Sequence, residues 1–64
     1  MDEIVDNSGK RILLVEDDEL SRKVMSFQLK KFFKLDAADN GTHALELFKK
    51  FEYDLILMDI NLGA

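Results

Sequence analysis

Residues Ile12-Leu13-Leu14-Val15 form an apolar run without polar alternation, and the run ends on three acids, Glu16, Asp17 and Asp18. A strand that is apolar on both faces belongs inside a parallel sheet, with helices above and below it. A second such run, Leu55-Ile56-Leu57-Met58, ends on Asp59. Open parallel sheets carry their sites beyond the carboxyl ends of the strands. Glu16, Asp17 and Asp59 are therefore expected to converge at one sheet edge. Carboxylates brought that close repel one another unless a proton or a cation intervenes. A divalent metal is the simplest agent.

Length sets the scale of the fold. Each strand-helix-strand crossover takes about 30 residues or more, so a chain of 64 residues has room for only two. Chains this small usually depend on disulfides, a metal or self-association, and cysteine is absent here. With 47% hydrophobic and 34% charged residues and a net charge of −4, the composition is that of a globular domain rather than a disordered one. An acidic pI near 4.7 argues against nucleic acid as a partner of this segment. No apolar run approaches the ~20 residues of a membrane span, and the acidic opening Met1-Asp2-Glu3 is unlike a secretory signal. No membrane partner and a cytoplasmic location are expected.

Residues 1–9 carry three acids and an Asn-Ser-Gly turn signal, so they are expected to be a flexible tail before a domain spanning 10–64. The first strand covers Ile12 to Val15. Asp17 or Asp18 then caps a helix whose apolar residues fall at helical spacing, Leu20, Val24 and Phe27 in one row and Met25, Leu29 and Phe32 in the next. Lys30, Lys31 and Lys34 crowd its far end, where cations suit the helix dipole. Leu35 to Ala38 reads as a short edge strand interrupted by Asp36. Asp39-Asn40-Gly41-Thr42 is a turn and cap, and a second helix runs from about Thr42 to Phe51, with Ala44, Leu45, Leu47, Phe48 and Phe51 inward. Tyr53 to Met58 is the third strand, followed by a loop from Asn61. Phe27, Phe32, Phe33, Phe48 and Phe51 read as core, and the single histidine, His43, as a surface residue.

Three segments together resemble one family. Arg11 to Glu19 (RILLVEDDE), Asp39 to Leu47 (DNGTHALEL) and Tyr53 to Asn61 (YDLILMDIN) are similar, in this order and spacing, to the receiver domain of two-component response regulators, and the likeness covers Lys10 to Ala64. The resemblance implies that Asp59 is the phosphoacceptor for a histidine kinase or phosphotransfer domain and that Mg²⁺ is the cofactor. By position, it makes Asp17 the direct Mg²⁺ ligand and Glu16 a ligand chiefly through water, with Asp59 itself and the backbone carbonyl of Asn61 completing the set. It also implies that the family's later hydroxyl, aromatic and lysine positions fall beyond Ala64, so the chain is expected to be the N-terminal half of a receiver with weak Mg²⁺ binding and without regulated switching. Mg²⁺ suits such a donor set, because it takes a few carboxylates with waters and phosphate oxygens rather than a full protein cage.

The expected fold is α/β: a three-layer β-α-β-α-β half of a flavodoxin-like receiver, with parallel strand order 2-1-3 and, because crossovers are right-handed, one helix on each face. The expected role is that of a phosphoacceptor, not an enzyme. The competing reading is a self-complementing homodimer in which two half-receivers pair through the edge of strand three and rebuild a sheet and acid pocket. A Mg²⁺-dependent phosphatase is disfavoured, because no second catalytic acid follows Asp59 at short spacing.

Overall fold

The computed structural model describes residues 9–59, so the expected tail up to Ser8 and the loop containing Asn61 lie outside the described residues. Five elements follow one another: β1 (Arg11–Glu16), α1 (Glu19–Leu29), β2 (Lys34–Ala38), α2 (Gly41–Lys50) and β3 (Leu55–Asp59). The strands form one parallel sheet in the order β2-β1-β3, as the sequence predicts. Arg11 to Val15 pair with Lys34 to Ala38 on one side of β1, and Ile12 to Glu16 pair with Leu55 to Asp59 on the other.

The core is built around β1, where Ile12, Leu13, Leu14 and Val15 are all buried. Leu13 and Val15 join Ala38 and Ala44, with Leu47 and Tyr53 packed against them, so α2 covers that face. Side chains alternate along a strand. Ile12 and Leu14 therefore point to the opposite face, where α1 crosses β1 and β2. The three-layer arrangement follows directly from the doubly apolar strand.

Local signals place the helix starts. Asp18 is in extended conformation and accepts the Ser21 N–H at 2.8 Å, which resolves the Asp17-or-Asp18 alternative in favour of Asp18. Asn40 does the same for the His43 N–H at 2.8 Å, so α2 starts at Gly41 rather than Thr42. The side-chain oxygen in each case replaces an intrahelical acceptor that the first turn lacks. At the far end of α1 the lysines lie beyond the last turn: Lys30 is the C-cap, and the ammonium groups of Lys30 and Lys31 sit over the Phe27 ring at 5.7 and 4.7 Å.

The edge where the strands begin is tied by Arg11. Its N–H donates to Asp54 Oδ2 at 2.8 Å, and its guanidinium lies 4.1 Å from the centroid of the Phe51 ring. Its Nε is 3.1 Å from Asp36 Oδ2, an ion pair without hydrogen-bond alignment. The Tyr53 hydroxyl donates to the same Asp36 oxygen at 2.7 Å. Burial, then this carboxylate, pushes the Tyr53 phenol up to about 12. Asp36 thus breaks the apolar character of β2, though not the strand, and binds both Arg11 and Tyr53. β3 starts at Leu55 rather than at Tyr53, and Asp54 joins the start of β1 through its own N–H, which donates to Arg11 O at 2.8 Å.

Helical spacing overstates the core. Leu45, Phe48 and Phe51 are exposed rather than inward, as are Leu20, Val24, Phe27 and Phe32; of the five phenylalanines only Phe33 is half-buried. The cause is the width of the sheet. Both helices lie over β1 and β2, and neither covers β3. The outer flank of each apolar stripe therefore has no sheet beneath it. Between α2 and β3 this leaves an apolar groove of about 230 Å³ lined by Leu13, Val15, Ala44, Leu45, Phe48, Ile56 and Met58.

Burial of this kind predicts unequal sensitivity to truncation. Leu14→Ala should cost about 2–5 kcal/mol, enough to unfold much of the population of so small a domain. Leu45→Ala, on the exposed flank, should stay within about 0.5 kcal/mol of the parent. Urea unfolding followed by circular dichroism measures both, and equal losses would contradict the placement of Leu45.

Candidate functional site

Because β1 and β3 are parallel and in register, Glu16 stands beside Asp59 at the finishing edge of the sheet, and Asp17 follows one residue later. The structure thus carries the three acids that the sequence singles out to the same edge of the sheet. Their surroundings differ. Glu16 is only 4% exposed, whereas Asp17 and Asp59 are exposed. Asn61 lies outside the described residues.

Glu16 is held by short-range contacts. Its Oε1 accepts the Asp18 N–H at 3.0 Å, closing the turn between β1 and α1. Its backbone carbonyl accepts from Arg22 Nη1 at 3.0 Å. Arg22 was not legible as a site residue, because the bond goes to a main-chain oxygen that no side-chain pattern reveals. Its position one turn after the Asp18 cap is the only signal the sequence carries.

Electrostatics report crowding. The hydrogen bond from the Asp18 amide favours the carboxylate and by itself lowers the pKa of Glu16. Burial and hydrogen bonding with Asp59 and Asp17, together with the charge of Asp59, outweigh it and raise the pKa above 4.5. Asp18 is shifted the other way, chiefly by the Ser21 amide that it caps, then by the Ser21 side chain, with Arg22 adding a favourable charge. The two neighbouring acids therefore have different work: Asp18 is spent on the helix, and Glu16 faces the other carboxylates.

This donor set fits a hard cation. All its donors are oxygens, and Glu16, raised in pKa first by burial and then by Asp59 and Asp17, stands beside negative charge that a cation would compensate. Among the described residues no three acids draw together as a ready cage. Mg²⁺ does not need one, since it keeps several waters and uses one or two carboxylates. His43 is exposed and lies 3.6 Å from Asp39 Oδ1 on the first turn of α2, consistent with a surface role.

The comparisons with known proteins point the same way. A family model described as the response regulator receiver domain matches residues 12–64. The chain is 49% identical over 53 residues to hybrid signal transduction histidine kinase F of Dictyostelium discoideum, covering 81% of this chain and 5% of that protein. It is 40% identical over 53 residues to the chemotaxis protein CheY of Halobacterium salinarum, covering 81% of this chain and 44% of the relative. With the aerobic respiration control sensor protein ArcB of Escherichia coli, identity is 50% over 52 residues, 80% of this chain and 7% of that protein. The chain thus spans less than half the length of each of these relatives. No solved structure gives a significant match.

The pKa of Glu16 has a definite consequence for stability. A carboxyl whose folded pKa is raised leaves the folded state holding more protons than the unfolded chain. Its contribution to stability is therefore greatest below 4.5 and falls as pH rises through the raised range. Glu16→Gln keeps an oxygen for the Asp18 amide but cannot ionise. In chelator it should be more stable than the parent at neutral pH and lose that advantage toward pH 4, as measured by thermal unfolding. A constant difference between the two proteins across that range would assign the crowding elsewhere.

Proposed function

This chain belongs to the response regulator receiver domain family, and on that premise we propose that Asp59 accepts a phosphoryl group from a phosphohistidine of a histidine kinase or phosphotransfer protein. The observation that carries the reading is the register: β3 delivers Asp59 to the side of the buried Glu16, one residue from Asp17, at the edge where such sheets hold their ligands. An exposed carboxylate in that position can reach an incoming donor. One Asp59 oxygen attacks phosphorus, the P–N bond to the imidazole breaks, and an acyl phosphate forms on Asp59. Bound Mg²⁺ would neutralise charge on the phosphoryl oxygens during transfer. Asp17 and Asp59 would hold the ion directly, with Glu16 acting through water and the Asn61 carbonyl as a further ligand. Glu16 also keeps its carboxylate against the Asp18 amide and so braces the turn. In this reading the chain receives the group rather than catalysing turnover, and Mg²⁺ affinity is weak.

Incubation with phosphoramidate and Mg²⁺, followed by intact-mass analysis, should give at most one phosphoryl adduct, labile to hydroxylamine. Asp59→Asn should abolish it, and Asp17→Asn should remove its Mg²⁺ dependence and the Mg²⁺ binding itself. An adduct that persists in Asp59→Asn would move the acceptor to another residue.

A second reading concerns assembly. β3 is an edge strand whose Ile56 and Met58 are 41% and 65% exposed, beside the apolar groove under α2. A bare apolar edge is a template for pairing. We propose that two copies pair antiparallel through β3, giving the order 2-1-3-3′-1′-2′, which keeps the two Asp59 clusters apart. Ile56→Lys should shift sedimentation at micromolar concentration from dimer to monomer with loss of helical signal. A parent chain that is already monomeric and folded there would exclude the dimer.

A further inference from the structure

Asp17 is the single residue between the end of β1 at Glu16 and the helix cap at Asp18. The peptide unit before it is held through its oxygen, since Glu16 O accepts from Arg22 Nη1 at 3.0 Å. The unit after it is held through its N–H, which donates to Glu16 Oε1 at 3.0 Å. Peptide units are planar, so fixing the two that flank a residue fixes its φ and ψ and hence the direction of its Cα–Cβ bond. Arg22 is itself anchored, because its N–H donates to Asp18 O at 2.8 Å in the first turn of α1. We propose that Arg22 is a positioning residue for Asp17, acting through the Glu16 carbonyl to aim the Asp17 carboxylate at the cation site.

This inference rests on the reading of Glu16, Asp17 and Asp59 as Mg²⁺ ligands. It differs from a plain charge effect in sign. A guanidinium bonded to the Glu16 carbonyl at this edge would, as a charge, compete with a second cation, so its removal should tighten Mg²⁺ binding. As a positioning group it should do the reverse, since ligands must be held to within about 0.5 Å to be effective. A lysine keeps the charge but not the planar fork that reaches a carbonyl at fixed geometry.

The experiment is a Mg²⁺ titration of the ¹⁵N-labelled chain, read by amide chemical shifts, for the parent, Arg22→Met, Arg22→Lys and Asp17→Asn. Both Arg22 variants should bind Mg²⁺ roughly 10-fold more weakly, the lower range for loss of a group that orients a ligand. In the metal-free chain, hydrogen exchange at the Asp18 amide should rise in both variants, while the Ser21 amide, held by the Asp18 side chain, keeps its protection. Should Arg22→Met fail to fold by circular dichroism, Arg22→Lys carries the test alone. Tighter binding in Arg22→Met, or parental affinity in Arg22→Lys, with Asp17→Asn inert, overturns the role of Arg22 only. Parental affinity in Asp17→Asn overturns the metal reading and this inference with it.

Discussion

Every feature of the site depends on β1 being hydrogen-bonded on both sides and buried on both faces. Among the described residues, the strand is the only element that touches both helices and both other strands. Its four apolar residues decide where the layers go, and its register decides which side chains meet beyond them. A slip of one residue between β1 and β3 would put Met58 beside Glu16 and turn Asp59 to the other face of the sheet. The convergence of acids is therefore a product of apolar packing, not of any attraction among the acids.

The same topology sorts charge. The helices run back against the strands, so helix N-termini lie at the edge where strands finish and helix C-termini at the edge where strands begin. Acids favour the first and cations the second. Glu16, Asp17, Asp18, Glu19, Asp39 and Asp59 lie toward the finishing edge and Lys10, Arg11, Lys30, Lys31, Lys34, Lys49 and Lys50 toward the starting one, with Glu52 and Asp54 as exceptions there, Asp54 accepting from the Arg11 N–H. Such a distribution alone does not make a site. What separates function from helix chemistry is what each acid is bonded to. Asp18 serves the Ser21 amide, and Asp39 accepts from the Asn40 side chain. Glu16 and Asp59 end strands and cap no helix.

Much of this was legible in the sequence, for reasons that can be named. Strand order, helix count and the meeting of Glu16, Asp17 and Asp59 follow from one doubly apolar strand, two crossovers and a handedness rule. Helix starts were legible to within a residue, because the caps Asp18 and Asn40 are local. The exposure of Leu45, Phe48 and Phe51 was not legible, since periodicity shows which face of a helix is apolar but not how far the sheet beneath it extends. Arg22 and the Arg11, Asp36 and Tyr53 cluster escaped for another reason. Their contacts join residues through main-chain atoms or across the sheet, and neither leaves a periodic trace.

The site is divided between parts of unequal solidity. Glu16 ends the central strand, whose apolar residues are buried, and Asp17 follows it, whereas Asp59 ends β3, which among the described residues is mostly exposed and unpaired on its outer edge. A ligand bridging Glu16 and Asp59 must therefore also fasten β3 to β1. By the same reasoning, whatever pairs with the free edge of β3, or fills the groove beneath Leu45 and Phe48, holds Asp59 in place for that ligand. Were both proposed sites occupied, binding at either would stabilise the arrangement the other requires, and the coupling would be reciprocal. On the proposed readings, the exposed strand is thus the element through which a cation at the acid edge and a second copy at the free edge would act on one another.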